Sequence, residues 1–156
     1  MFREMRRIKQ QLNNEDIERI LNKHTSGILA VNGDDGYPYT IPISYTYDDN
    51  QLFFHSANEG HKIDAIRNND KVSFCVIDQD EVIQETFTTH FRSVVIFGRA
   101  TIITDPQQRQ LALESLVRKY SPDFLEKGQQ EIREAWDHVS IIAVTIEYKS
   151  GKTNNK

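Results

Sequence analysis

The apolar positions of this chain change their period several times, and each change marks an element. In "NNEDIERILNKHTSG", Ile17, Ile20 and Leu21 recur at helical spacing and share one face. Asn14 is the expected N-cap, acidic residues fill the first turn, and Gly27 marks the end. The next run, "ILAVNGDDGYPYTIPISYTYDDNQLFFHS", is different. Its apolar segments are broken by "GDDG" and "DDNQ", both hairpin signals. Between them Ile41, Ile43, Tyr45 and Tyr47 alternate with Thr40, Pro42, Ser44 and Thr46, so one face is apolar and the other small and polar. That is the period of a strand.

Further along, "GHKIDAIRNND" reads as a short helix opening at Gly60. "KVSFCVI", "FRSVVIFGRATIIT" and "VSIIAVTIEY" read as further strands. Between the last two, Pro106 at a helix start, a packing stripe of Leu111, Leu113, Leu116 and Val117, and a break at Pro122 predict two helices. The sum is a mainly β chain with flanking helices (α+β): about six hairpin-linked strands in an antiparallel sheet. One apolar face on such a sheet favours closure into a barrel. Residues 1–150 are expected to make one domain, with a polar tail at 151–156 that frays.

Composition narrows the function. The chain has 156 residues and is 38% apolar, enough for one thin core, so burying more surface against a partner is expected. A net charge of −4 argues against a general nucleic-acid binder. The single cysteine, Cys75, leaves no internal disulfide and points to a reducing cytoplasm. No run reaches the length of a membrane span, and the basic start "MFREMRRIKQ" has no apolar run behind it. There is no G-x-G-x-x-G after a strand and no P-loop.

The stretch "FFHSANEGHK" carries the candidate chemistry. A strand exits through His55 and Ser56, a polar turn follows, and a helix opens at Gly60 with His61 and Lys62. Helix N-termini present free N–H groups and a partial positive charge. Ser56 can donate to a phosphate oxygen, Lys62 adds a full charge and His61 a further donor. The group reads as a phosphate cradle. The same residues also fit a plainer arrangement, with Ser56 capping the turn, Lys62 solvated and His55 packed on the sheet. His55 and His61 do not have the spacing of a zinc pair on a helix. His24 reads as a helix C-terminal residue, Cys75 as a small buried hydrophobe, and Trp136 as core or interface. No triad or carboxylate pair stands near the cradle, so any turnover is expected to need no essential protein acid or base; His55 is the one nearby proton shuttle.

From Gly27 to Ala100 the chain resembles the pyridoxamine 5'-phosphate oxidase-like superfamily of flavin-binding split barrels. Within it the 5-nitroimidazole antibiotic resistance proteins look closest. The residues that carry the resemblance are G-Y-P-Y, then a P-x-x-Y strand, then F-H-S, then G-H-K-x-x-x-I, with "FRSVVIFGRA" after them. The resemblance implies a six-stranded split β-barrel of Greek-key type that holds FMN in a cleft between two subunits of a homodimer. It implies a phosphate site at His55, Ser56, His61 and Lys62, an isoalloxazine edge along Thr40, Ile41 and Pro42, and Ser93 approaching from the other side, with Arg92 beside it. True pyridoxamine 5'-phosphate oxidases carry further basic residues and a C-terminal signature, and this chain ends "VTIEYKSGKTNNK" without either. The implied activity is therefore a flavin-dependent oxidoreductase acting on a small electrophile such as a nitroaromatic. The alternatives are a flavin-binding or stress protein without turnover, and a related barrel that takes haem or a deazaflavin.

Overall fold

The computed structural model describes residues 1–155. The elements run α1 (Asn14–Lys23), β1 (Ser26–Asn32), β2 (Pro38–Ser44), β3 (Thr46–Asp48), β4 (Gln51–Ala57), α2 (His61–Asn68), β5 (Lys71–Ile83), β6 (Thr88–Ile102), α3 (Pro106–Tyr120), α4 (Leu125–Ala135) and β7 (Val139–Thr153). All seven strands belong to one sheet in the order β2-β1-β5-β6-β7-β4-β3, and every pairing is antiparallel. The two ends of that order, β2 and β3, are consecutive in the chain and separated only by Tyr45. A sheet whose edge strands are joined by a single residue has to curl until its edges meet. The edges do not pair with each other, so the barrel is split at that joint.

The expected six strands become seven because the run from Thr40 to Tyr47 breaks at Tyr45. Tyr45 is fully buried; its hydroxyl donates to the Leu21 carbonyl at 2.6 Å and its N–H to Thr25 O at 3.2 Å. Those bonds turn the chain toward α1 and away from the β1 ladder. The break also puts Thr46 inside, against the expectation of a polar outward position. The barrel core gathers Leu29, Leu52, Phe54, Phe74, Val76, Ile96 and Val144, closed at one end by Ile17, Ile20 and Leu21 of α1. Asn13, not Asn14, caps α1, its side chain accepting the Asp16 N–H at 2.8 Å. A second, smaller core lies between the sheet and the helical pair, where Ala112, Leu113 and Ile132 meet Ile103, Ile141, Ala143 and Phe53. Leu111, expected in that stripe, is 59% exposed: it lies about 100° round the helix from Ala112, on the solvent side.

Both hairpin signals hold. The β1–β2 turn uses Asp35 and Gly36, and the β3–β4 turn Asp49 and Asn50, all at positive φ. The acidic stretch between "KVSFCVI" and "FRSVV" is not a loop: β5 and β6 pair through it as a long ribbon, from Ile77–Ser93 to Ile83–Thr88. The tail expected to fray is the end of β7 instead. Val94↔Gly151 and Arg92↔Thr153 are paired, and the Thr153 hydroxyl donates to Phe91 O at 2.9 Å. Gly151 makes this possible, because Leu12 and Ile17 pack so close over it that a Cβ would meet Leu12 Cδ1 at 2.8 Å. Lys156, the last residue of that tail, lies outside the described residues.

Candidate functional site

β4 pairs with the start of β7, from Gln51↔Thr145 to Ala57↔Val139. Strand alternation turns Leu52, Phe54 and Ser56 into the barrel and leaves His55 on the opposite face with Phe53. His55 is exposed, whereas Ser56 is 7% exposed and its hydroxyl donates to Ala57 O at 3.0 Å. The structure therefore does not bring the two side chains to one point. Adjacent residues on a strand cannot line one concavity with their side chains, so the four-residue cradle read from the sequence cannot use both His55 and Ser56 at one point.

The turn after β4 is fixed at Asn58. Its amide nitrogen donates to Asp137 O at 2.9 Å and its oxygen accepts from Ser140 Oγ at 2.8 Å. Gly60 follows with φ 133° and ψ 175°, a conformation open only to glycine, and no side chain caps the helix it begins. The first N–H of α2 to find an intrahelical acceptor is that of Asp64, onto Gly60 O at 3.0 Å. The amides of His61, Lys62 and Ile63 precede it and have no acceptor within the helix. Nothing lies within 4 Å of where a Cβ on Gly60 would be, so the approach to these amides is open.

Lys62 is half-buried beside them. Burial pushes its pKa below the ordinary lysine value, and no hydrogen bond or neighbouring charge among the described residues acts on it in return. His61 is turned toward β2: its ring stacks on Tyr39 at 4.2 Å and its Nε2 lies 3.8 Å from the Asp34 carboxylate. This contact ties the start of α2 to β2, the strand carrying Thr40, Ile41 and Pro42. Thr40 and Pro42 are exposed and Ile41 is partly buried against the core. One edge of β2 pairs with β1 and the other has no strand partner, so alternate backbone groups of the strand remain available. Tyr39, Asp34 and Asn58 belong to the site's framework; Tyr39 and Asp34 lie within the G-Y-P-Y and G-D-D-G stretches, which mark a resemblance and a hairpin but not a site, and Asn58 carries no motif.

Ser93 is elsewhere. It sits on β6 opposite Ile77 and Lys152, three strand spacings from β2, or about 14 Å across the sheet. Arg92 is committed to Asp78 at 3.2 Å and to the Asn155 carbonyl at 3.2 Å. His24, expected only to favour a helix end, bonds Asp78 at 2.6 Å. Cys75 is half-buried, and burial raises its pKa. Trp136 packs on the second core with the Arg109 guanidinium 4.7 Å above its ring. Beyond β2, a groove of about 700 Å³ runs over the outer face of the sheet, meeting β2 at Pro38 and reaching Ala30, Ser73 and Phe97. Among the described residues, no helix is long and apolar enough to cross a membrane, and no three His, Cys, Asp or Glu side chains are grouped to hold a metal ion.

The arrangement can hold an anionic oxygen cluster at the start of α2, through amides and one ammonium, and offer the backbone of an open strand edge nearby. A phosphate monoester on a flat, hydrogen-bonding ring matches both halves.

Comparison with known proteins agrees with this architecture. The model of the family described as pyridoxamine 5'-phosphate oxidase matches residues 13–153. A conserved hypothetical protein of known structure from Mycobacterium tuberculosis superposes with a TM-score of 0.83 at 17% identity, over 97% of this chain and 91% of that one. A candidate 5-nitroimidazole antibiotic resistance protein from Bacteroides thetaiotaomicron gives 0.77 at 22% identity, over 92% and 86%. An FAD-binding protein from Mesorhizobium loti gives 0.66 at 27% identity, over 94% and 98%. No curated protein matches the sequence.

Proposed function

The chain belongs to the pyridoxamine 5'-phosphate oxidase family, and from that premise we propose that it binds a flavin, FMN, and works as a flavin-dependent oxidoreductase on a small electrophile such as a nitroaromatic. The observation that carries the reading is Lys62: a half-buried ammonium with no partner among the described residues, next to three helix amides with no acceptor within the helix. Groups left in that condition fit a bound phosphate, which would answer the charge and the N–H groups together. Lys62 and the amides of His61–Ile63 would hold the phosphate, and the open edge of β2 at Thr40–Pro42 would position the ring system. When bound, the flavin supplies hydride or electron transfer. The chain's own contribution is to anchor, orient and shield. The cradle suits a terminal phosphate; the Mesorhizobium protein named for FAD makes FAD the competing ligand.

The reading extends to a homodimer. Ser93 lies too far across the sheet to meet Thr40–Pro42 within one chain, so it enters the site only from a second copy. The outer face supplies apolar surface for such a copy at Ile28 and Ile77, and the β5–β6 ribbon adds Val82 and Phe87.

The test is a titration of purified protein with FMN, FAD and riboflavin, followed by quenching of flavin fluorescence. A charge-assisted bond to phosphate is worth about 1.5–3 kcal/mol, so Lys62→Ala should weaken FMN binding about tenfold to a hundredfold. Riboflavin should bind weakly to both proteins. Equal FMN affinity in the variant would place the phosphate elsewhere. Turnover is tested separately, by whether pre-reduced flavin on the protein passes electrons to a nitroaromatic faster than free flavin does.

A further inference from the structure

Residues 1–7 precede the first helical turn, and no backbone hydrogen bond ties residues 1–6 to the rest of the described chain. Met5 is partly buried, and the main anchor is one aromatic side chain. The Phe2 ring stacks on Phe97 at 5.6 Å with 3° between the planes, and on Tyr148 at 5.1 Å with 11°. Phe97 and Tyr148 are cross-strand partners on β6 and β7, their rings 6.4 Å apart, and together form an aromatic floor. The floor ends the groove of about 700 Å³ that Met1 and Phe2 overhang. Between the floor and Thr40, the register places only Ala30 and Ser73, so a flat shelf leads from β2 to the aromatic pair. Arg99 at the edge is answered by Asp70 and Glu147, both at 3.3 Å, and Lys71 on the groove lining adds a second positive charge, so the four groups together leave that end without a net charge to select an ion.

We propose that Phe2 is a displaceable lid on an aromatic subsite, and that a flat, uncharged aromatic molecule replaces it on Phe97 and Tyr148 when the N-terminal segment lifts. A segment without backbone hydrogen bonds, held mainly by one half-exposed ring, exchanges between seated and released forms, and any ring that stacks better on the floor shifts that balance. The subsite stands whether or not a flavin binds. Its use as the place of the electron acceptor rests on the flavin reading.

The lid is tested without cofactor, by limited trypsin digestion read by mass spectrometry at the Arg3–Glu4 bond, with Arg118 and Lys127 as internal controls. Cleavage of a segment that opens and closes rapidly follows the population of the open form. Phe2→Ala should speed cleavage after Arg3 about fivefold to tenfold. Saturating nitrobenzene should speed it by a similar factor in the unaltered chain, add nothing in Phe2→Ala, and leave the controls unchanged. Phe2 lies outside every element, so its substitution tests the anchor without threatening the fold. Unchanged Arg3 cleavage in Phe2→Ala overturns the lid; acceleration by Phe2→Ala but none by nitrobenzene overturns the subsite. Loss of FMN binding in the separate titration would leave both results standing and remove only the acceptor role.

Discussion

Asp78 and Lys62 are both drawn out of water, but Asp78 has Arg92, Lys23 and the His24 ring against it, whereas among the described residues nothing answers the charge of Lys62. The Asp78 carboxylate is 3% exposed and lies at the irregularity in the β5–β6 ladder between Ile77 and Gln79. His24 donates to it at 2.6 Å, Arg92 at 3.2 Å and Lys23 at 3.4 Å. Burial alone would raise its pKa; the bonds from His24 and Arg92 and the charge of Lys23 outweigh that and hold it below the ordinary aspartate value. Lys62 shows burial alone. The cluster with more charges is therefore the structural one, since its charges are spent on each other and pin α1 to the sheet. The sparser region is the binding candidate, because its groups still lack partners.

The largest effect that this contrast predicts is at Asp78. Asp78→Ala removes the common acceptor of Arg92, Lys23 and the His24 ring and should cost about 3 kcal/mol of stability, a fall of about 6–12 °C in Tm for a chain of this size. FMN affinity, measured where the variant is folded, should be unchanged. A variant that keeps its Tm but loses FMN would reverse the two assignments. The same carboxylate sets an acid limb. Its folded pKa lies below its unfolded value of 3.8, so in that interval the unfolded chain binds a proton that the folded one does not. The contribution is whole above pH 3.8 and is lost as pH falls through the folded pKa. Denaturation midpoints of Asp78→Asn should accordingly decline less steeply in that window than those of the unaltered chain.

A smaller effect is expected at Gly60, where the cradle depends on backbone shape. Alanine meets no atom there, so crowding is not the issue. The conformation itself, φ 133°, is the cost, about 1–3 kcal/mol for a residue with a Cβ. Gly60→Ala should lose part of that in stability and, by turning the first amides of α2, weaken FMN binding while leaving riboflavin binding alone. Equal losses for FMN and riboflavin would mean that the amides do not meet the phosphate.

The two regions also differ in how far the sequence reveals them. The cradle is contiguous: the end of β4, the turn and the start of α2 fall within residues 55–62, and Gly60 before His61 and Lys62 announces the helix start. What local reading could not do was assign faces, so His55 and Ser56 were grouped although strand alternation separates them. The Asp78 cluster joins residues 54 apart in the chain and depends on a ladder irregularity, and neither leaves a periodic trace. The barrel was legible because apolar alternation marks β1, β2, β4 and the first halves of β5 and β6. The polar ribbon beyond Ile77 and the end of β7 were not, since their pairing rests on backbone bonds and on Gly151 lying under Leu12. The resemblance implies Ser93 beside the flavin, whereas within one chain it lies three strands from β2 across the sheet.

The smallest prediction is the sharpest, because it reverses the sign found at Asp78. Lys62→Met keeps the length and the apolar stem of the side chain and removes only the charge. In the folded protein that charge is partly dehydrated and no partner among the described residues repays the loss, so its pKa falls below the unfolded value of 10.5. Below that value the unfolded chain holds the lysine proton more readily than the folded one, and the charged form works against folding. The group is substantially exposed, which keeps the effect small, about 0.5 kcal/mol or 1–2 °C in Tm. Without ligand, Lys62→Met should therefore melt slightly higher than the unaltered chain at pH 7. With saturating FMN the order should invert, because the unaltered chain gains more from binding than the variant does. Paired melting curves with and without FMN check both halves. A variant that melts lower without ligand would show that Lys62 already has a partner in the folded protein, and the contrast with Asp78 would then collapse.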